Sequence, residues 1–252
     1  MEKNYDAFNE YAMTFDMNIE MIKYKFNHSY RVVHQAEMIA HDENLSEEDM
    51  YLASLIALLH DYARFEQWSK YETFNDAKSF DHGDYAAKLL FDEGHIKKFD
   101  LKEEDYHIVR VAIENHNKVA ISSDVTDERE LLHCKIIRDA DKLDILYAFS
   151  TNRLLQINDD AETPITEEIG EEYFQCMQVL RSKINSVNDK IILDFGLVFD
   201  LYFDYSKRRV LDEEYLTKIY SYLKNKDIFR KYYDFAIEYL KGEVEDNDRE
   251  EI

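Results

Sequence analysis

The scarcity of glycine and proline is the feature that most constrains the fold of this chain. Its 252 residues include only 5 glycines and 1 proline. These two residues supply many of the tight turns that β-rich and loop-rich folds require. The composition therefore predicts an all-α fold built from long helices. The length is sufficient for one large domain, or for a domain with an extension.

The charge and the cysteines of the chain limit its possible binding partners and its cellular location. The 31 basic and 54 acidic residues give a net charge of −23, and no Lys/Arg cluster is dense enough to form a basic groove. We therefore expect no nucleic-acid partner. The two cysteines, Cys134 and Cys176, are typical of the reducing cytoplasm. No apolar stretch approaches the ~20 residues that span a bilayer, so no membrane association is expected. A homo-oligomer is left open.

Hydrophobic periodicity predicts helices over most of the chain. A first helix is expected over residues 3–24 and a second over 28–42. A third starts at Ser46, which is suited to cap it, and contains the apolar decamer MYLASLIALL. Residues 63–80 are expected to form a loop with some helical turns, because aromatic and charged residues alternate there without a clear period.

We predict a domain boundary near a seam in the sequence pattern, the polar segment NDDAETP at residues 158–164. Residues 1–157 are expected to form a helical metal-binding domain, since all nine histidines lie before the seam. Residues 158–252 are expected to form a C-terminal helical extension packed on it. Within the extension, the acid-rich residues 243–252 are predicted to be a frayed, solvated tail.

Two segments place carboxylates where burial is expected. His60 and Asp61 directly follow the apolar decamer, the most continuous hydrophobic stretch of the chain. Asp141 shares the apolar face of a long predicted helix, whereas Asp139 is expected to point the other way, into solvent. A buried carboxylate is costly unless it is paired or binds a cation. Asp61 and Asp141 are therefore candidate metal ligands.

Three more histidines lie at helix ends or on inward faces. His28 heads the apolar stripe of its helix, His82 opens a helix beside Gly83, and His116 ends another. Imidazole combined with carboxylate suits Zn, Fe, Mn or Co. Together with His60 and the two carboxylates, these histidines form a predicted ligand set for one or two transition metals.

The order of these residues resembles the HD superfamily of metal-dependent phosphohydrolases. The segments HSYRV, LLHDYAR and DADKLD carry the resemblance, which covers roughly residues 25–150. They place His28, the adjacent pair His60 and Asp61, and Asp141 where that family has its ligands. The resemblance implies an all-α, phosphodiesterase-like helical bundle.

His82 and His116 resemble the additional pair found in a subset of that superfamily that binds two metals. The bacterial diadenosine tetraphosphate hydrolases look similar in this region. The implied cofactor is a divalent transition metal, two ions of Mn, Fe, Co, Ni or Zn, with Asp61 bridging them. The chain differs from those hydrolases in its N-terminal helix and long C-terminal portion.

The implied function is metal-dependent hydrolysis of a phosphoester or phosphoanhydride in a small nucleotide or phosphometabolite. Arg64, about one helical turn after Asp61, is predicted to bind a substrate phosphate and to act in catalysis. Arg31, one turn after His28, is a second candidate for substrate binding. Two alternatives stay open: a di-iron oxygenase of the HD type, and a non-catalytic nucleotide-binding sensor.

Overall fold

The computed structural model describes residues 1–151, 159–160, 163–177 and 181–250. In these residues it contains helices and no β-strand, which confirms the all-α prediction. No helix of the described part combines the length and the apolarity needed to cross a membrane. The α-helices, in chain order, are α1 Glu2–Ala12, α2 Glu20–Asp42, α3 Glu47–Leu59, α4 Arg64–Tyr71, α5 His82–Ala87, α6 Tyr106–Asn115, α7 Glu128–Thr151, α8 Glu167–Phe174, α9 Val187–Phe195, α10 Asp204–Asp212, α11 Tyr215–Tyr222 and α12 Lys226–Glu250.

The chain forms two compact units, Met1–Asp141 and Lys142–Ile252. The limit between them falls inside α7. The predicted domain limit at 157/158 lies within residues 152–158, which are outside the described residues. That limit, and the packing of the extension on the first domain, stay predictions.

The break between the first two helices differs from the prediction. α1 ends at Ala12 and α2 begins at Glu20, so residues 13–19 form the connection. Asp16 stabilises a turn there, because its Oδ1 accepts hydrogen bonds from the backbone and side-chain nitrogens of Asn18, both at 2.9 Å. The predicted first helix over 3–24 is therefore wrong. As a consequence, Lys25 and His28 lie one turn apart on a single uninterrupted helix.

α3 is the buried helix that the apolar decamer predicts. Ser46 caps it by accepting a hydrogen bond from the backbone nitrogen of Asp49 at 3.1 Å. Every residue from Leu52 to Leu59 is buried, and the helix packs against α1, α2 and α6. A helix that is apolar on all sides belongs in the interior of a domain. It therefore delivers His60 and Asp61, which follow directly, into the centre of the first unit.

The segment expected to be a loop is helical in its first half. α4 covers Arg64–Tyr71 and buries Arg64, Phe65 and Gln67. A short 3₁₀ turn at Asp76–Lys78 follows in the second half. Aromatic and charged residues lie on both the buried and the exposed face of α4. The sequence of this segment therefore shows no clear helical period.

The acidic C-terminus also differs from the prediction. α12 runs from Lys226 to Glu250, through most of the segment expected to be frayed. Glu243, the first acid of that segment, accepts a hydrogen bond from the buried ammonium of Lys207 at 2.7 Å. Residues 251–252 lie outside the described residues. Helix formation in the acidic segment is thus accompanied by at least one ion pair to α10.

Candidate metal centre

All six predicted ligands lie in the first unit, and the fold brings them together. Five of them are almost completely buried, and the Asp141 side chain is 18% exposed. Most are placed by the ends of helices, where side chains project beyond the hydrogen-bonded backbone. The contributions are His28 from α2, His60 and Asp61 from the end of α3, His82 from the start of α5, His116 from the end of α6, and Asp141 from α7.

The first half of the centre is formed by His28, His60 and Asp141. These residues offer three ligand atoms that lie within 4.8 Å of one another. His28 Nε2 lies 3.1 Å from Asp141 Oδ1 and 3.3 Å from Asp61 Oδ2. His60 Nε2 lies 3.7 Å and 3.5 Å from the same two oxygens. Two imidazoles and two carboxylate oxygens therefore converge on one point.

The second half is formed by His82 and His116 with the other oxygen of the same aspartate. Asp61 Oδ1 lies 3.5 Å from His82 Nε2 and 3.9 Å from His116 Nε2. His60, Asp61 and His116 also form a group of candidate ligand atoms, so the two halves adjoin. Asp61 thus presents one oxygen to each half of the centre.

Backbone carbonyls determine the tautomer of two of these histidines. His60 Nδ1 lies 2.7 Å from the carbonyl oxygen of Ala57, and His116 Nδ1 lies 2.6 Å from that of Ile113. A carbonyl can only accept, so each Nδ1 carries the proton and donates it. Each Nε2 then has a free lone pair directed into the centre, the arrangement that metal-binding histidines use.

A carboxylate orients His82 in the same way. His82 Nδ1 donates to Asp76 Oδ2 at 2.6 Å, while Asp76 Oδ1 accepts from Arg64 Nη1 at 3.0 Å and Gln67 Nε2 at 2.9 Å. Burial favours protonation of Asp76, but the hydrogen bond from His82 and the charge of Arg64 outweigh it and hold the pKa of that carboxyl below its usual range. Sequence analysis missed Asp76, because it lies in the irregular segment after α4 and only the tertiary contact identifies it.

The Nε2 atoms of His82 and His116 face each other without a proton between them. His82 Nε2 and His116 Nε2 are 3.0 Å apart, and both carry lone pairs. Burial lowers the pKa of both groups, and for His116 the neighbouring His82 lowers it further. Protonation is thus an unfavourable way to relieve the repulsion between the lone pairs. A shared cation relieves it directly, and imidazole with carboxylate suits Mn, Fe, Co, Ni or Zn.

Lys25 is a charged member of the centre that sequence analysis also missed. Its Nζ donates to Asp61 Oδ2 at 2.6 Å, and Arg64 Nε donates to Asp61 Oδ1 at 3.3 Å. Burial by itself raises the pKa of Asp61, but the positive charges of Lys25 and Arg64 outweigh it and hold the pKa well below its usual range. Asp61 is therefore ionised, as a bridging ligand must be.

Arg64 lies at the centre, as its place one turn after Asp61 suggests. It is 7% exposed, so it is not a surface residue. Its Nη1 donates to Gln67 Oε1 at 2.5 Å, to the carbonyl of Phe74 at 2.9 Å and to Asp76 Oδ1 at 3.0 Å. Two of its three nitrogens are thus bound to protein groups. Its role in catalysis and in substrate binding stays a prediction.

Arg31, the other predicted substrate-binding residue, lies beside an aromatic side chain. Its guanidinium carbon is 5.8 Å from the ring centroid of Tyr24. That ring is stacked on the imidazole of His28, with the centroids 6.0 Å apart. Arg31 therefore contacts a ring that stacks on the candidate ligand His28, and its contact with a substrate stays a prediction.

The helix that carries Asp141 is more deeply buried than its sequence suggests. Asp139 was expected to be solvated, but it is 0% exposed. The expectation is wrong because α7 has buried residues on several faces, including Ala140 and Leu143. A helix enclosed on several sides has no single apolar stripe, so periodicity cannot separate its inner and outer positions.

Arg138, on the same helix, holds the turn that carries His116. Its side chain is almost completely buried, although it is one of the largest of the chain. Its guanidinium donates to three backbone carbonyls at or after the end of α6, those of Asn115 at 2.9 Å, Lys118 at 2.7 Å and Val119 at 3.1 Å. The carbonyls at a helix end lack partners within the helix. Arg138 donates hydrogen bonds to these carbonyls, and so links the position of His116 to α7.

One of three comparisons with known proteins gave a match. No curated protein and no solved structure matches the chain significantly. Residues 26–146 match the family model of the HD domain. This range ends inside α7 and contains all six residues that converge in the centre. This part of the chain therefore matches an HD domain, and such domains are typical of metal-dependent hydrolases.

Proposed function

We propose that this protein hydrolyses a phosphoester or phosphoanhydride bond with the help of two divalent transition-metal ions. The observation that carries the proposal is the position of Asp61. Its Oδ2 faces His28 and His60, and its Oδ1 faces His82 and His116. A carboxylate placed between two pairs of imidazoles is suited to bridge two ions.

The protein groups have distinct tasks in such a reaction. Divalent ions, when bound, lower the pKa of coordinated water toward ~7 and polarise phosphoryl oxygens. Asp61 holds the two halves of the centre at a fixed separation. The hydrogen bonds to Nδ1 of His60 and His116 keep each Nε2 available as a ligand. Arg64 lies where it could offset charge on the phosphoryl group in the transition state.

The proposed substrate is a small phosphorylated metabolite or nucleotide. A net charge of −23 disfavours the backbone of a nucleic-acid polymer, whereas a small anion needs only a local cationic site. We place the reaction in the cytoplasm. Cys134 and Cys176 are both free thiols, and burial raises the pKa of Cys134 to about 12, so that thiol is unreactive.

The decisive experiment combines metal analysis with a phosphatase screen. The purified chain is loaded separately with Mn, Fe, Co, Ni or Zn and assayed for phosphate release from nucleotides and sugar phosphates. Asp61→Asn should abolish release, because it weakens both halves of the centre. Asp92→Asn, an exposed aspartate paired with Arg110, is the matched control and should behave as wild type.

The rival activities give different results in the same assays. Oxygen consumption by the iron-loaded protein without phosphate release would replace the proposal with a di-iron oxygenase. Saturable nucleotide binding without either reaction would replace it with a sensor. Metal binding at full stoichiometry by Asp61→Asn would contradict the bridging role that the proposal requires.

A further inference from the structure

Lys25 lies in an environment that a structural lysine rarely occupies. It is on α2, one turn before His28, and its side chain is only 11% exposed. Its ammonium lies 2.6 Å from Asp61 Oδ2, the oxygen that also faces His28 and His60. Burying an ammonium is unfavourable unless it is paired. Here the partner is the proposed bridging ligand itself, so the charge is directed at the reactive part of the centre.

After Lys25 pairs with Asp61, the ammonium still has unused donors and the carboxylate oxygen still has an unused acceptor site. An ammonium has three donors, and each carboxylate oxygen has two acceptor sites. Asp61 Oδ2 can therefore accept from Lys25 and also act as a ligand. The remaining donors of Lys25 stay within reach of an anion that binds at the centre.

Aromatic rings enclose this ammonium on two sides. Lys25 Nζ lies 5.4 Å from the ring centroid of Phe74 and 5.8 Å from that of Tyr24. Arg64 approaches the same Phe74 ring, with its guanidinium carbon 5.4 Å from the centroid. The rings, both half-buried, reduce the exposure of the two cations to water. Electrostatic attraction of an anion is stronger where water is excluded.

Lys25 also differs from Arg64 in the number of its protein partners. Arg64 binds Asp61, Gln67, Asp76 and a backbone carbonyl through Nε and Nη1. Those contacts fix the guanidinium within the protein. Lys25 is a compact point charge on a flexible stem, and such a group can reorient toward a ligand.

The charges of the centre indicate the class of anion. Asp61, Asp76 and Asp141 contribute three negative charges, and Lys25 and Arg64 contribute two positive charges. Metal-binding imidazoles are neutral, so two divalent ions would leave the centre with an excess of about three positive charges. A phosphate monoester, which is a dianion near neutral pH, compensates this excess better than a singly charged diester does.

We propose that Lys25 binds a non-bridging oxygen of the substrate's phosphoryl group and makes the centre selective for terminal phosphate groups, those of monoesters or of chain-end anhydrides, over diesters. This assignment rests on the proposed phosphohydrolase function and deepens it. Lys25 supplies the charge that pairs with the second negative charge of the dianion. Its contact with Asp61 keeps it in place beside the ions.

The test measures binding, with inorganic phosphate, methyl phosphate and dimethyl phosphate as probes. The manganese-loaded full chain is titrated by calorimetry, and metal content is determined on the same samples. Lys25→Met should weaken the binding of inorganic phosphate and methyl phosphate about 10- to 100-fold, the value of one charge-assisted hydrogen bond. Dimethyl phosphate should be affected much less. Lys25→Arg should restore most of the affinity, and Lys23→Met, an exposed lysine of the same helix, should change nothing.

Three outcomes would contradict the assignment of Lys25, and a fourth would contradict only the proposed reaction. Unchanged phosphate affinity in Lys25→Met at full metal content would show that the ammonium does not touch the anion. Loss of metal from both Lys25→Met and Lys25→Gln would assign Lys25 to assembly of the centre instead. Equal losses for the monoester and the diester would remove the selectivity. If wild type binds phosphate through Lys25 but hydrolyses no ester, the proposed reaction is wrong and the anion site remains.

Discussion

His82 and His116 bring their Nε2 atoms to within 3.0 Å of each other, although Nδ1 of each ring is already committed as a hydrogen-bond donor. Neither nitrogen has a proton to offer the other, so the contact is unfavourable without a cation. His28 and His60 also bring their Nε2 atoms close together, at a distance of 3.3 Å. These two pairs, with Asp61 between them, lead to specific expectations for metal content.

Removal of His116 should empty one half of the centre. His116→Ala should retain about half of the wild-type metal, because the ligands of the other half are intact, and activity should fall further than metal content. Elemental analysis with turnover measurements checks this. His107→Ala, at an exposed histidine, is the control. Full metal retention with a loss of only ~1 kcal/mol in stability would reduce His116 to a helix-end residue.

Asp141 should matter for the opposite half. Asp141→Asn leaves His82 and His116 in place but removes the carboxylate nearest to His28, so about half of the metal should again be lost. Because either half alone is expected to be insufficient for hydrolysis, turnover should be abolished while helicity measured by circular dichroism is preserved. Wild-type turnover by Asp141→Asn would show that this carboxylate is not a ligand.

Asp76 should tune the affinity of the centre without being a ligand. Asp76→Asn weakens the hydrogen bond that orients His82, and replacement of such a partner typically reduces metal affinity about 10- to 100-fold. Competition with a coloured chelator measures the change. Asp92→Asn, at an exposed aspartate, is the control. If Asp76→Asn holds its metal as tightly as the control does, the orientation of His82 has another origin.

Arg138 should contribute more to stability than a surface arginine does. Arg138→Met removes the donors of one buried and two part-buried backbone carbonyls, and a loss of about 2–3 kcal/mol is expected. Arg110→Met, which breaks exposed pairs with Asp92 and Glu114, should cost less than about 1 kcal/mol. Urea unfolding of the two variants gives the comparison. Similar losses in both would show that water replaces the guanidinium at the end of α6.

Asp49, outside the metal centre, predicts a pH dependence of stability. Burial alone would raise its pKa, but hydrogen bonds from Arg129 and Ser46 outweigh it and lower the pKa to about 2. The folded state therefore holds the proton less tightly than the unfolded chain, whose carboxyl has the ordinary value of about 3.9. The resulting stability is present above about pH 4 and is lost as the pH falls toward 2.

Asp49→Asn should thus lose about 1–2 kcal/mol at pH 7, a value reduced for the partial exposure of the carboxylate. The difference from wild type should shrink at pH 3. Urea unfolding at the two pH values measures it, with Glu47→Gln, an exposed acid in the same first turn, as the control. A difference that is equally large at pH 3 and pH 7 would contradict an ionised Asp49 as its source.

The sequence by itself determined the helical class of the fold and the identity of the candidate ligands. Few glycines and prolines leave few positions for tight turns, and this limit acts on the whole chain regardless of tertiary contacts. These residues became candidates because a carboxylate or imidazole placed directly after an apolar helix, as at His60 and Asp61, conflicts with the local pattern. Such a conflict is visible in the order of the residues and indicates a functional site.

Tertiary structure alone decided which groups surround those ligands. Lys25 falls in the predicted break between two helices, and only the continuity of α2 places it one turn from His28. Asp76 lies in an irregular segment, where no periodicity relates its position to His82. Asp139 is buried because α7 is enclosed on several sides. In each case the deciding contact joins residues that are distant in sequence or depends on what packs around a helix, and a local pattern of side chains carries no record of either.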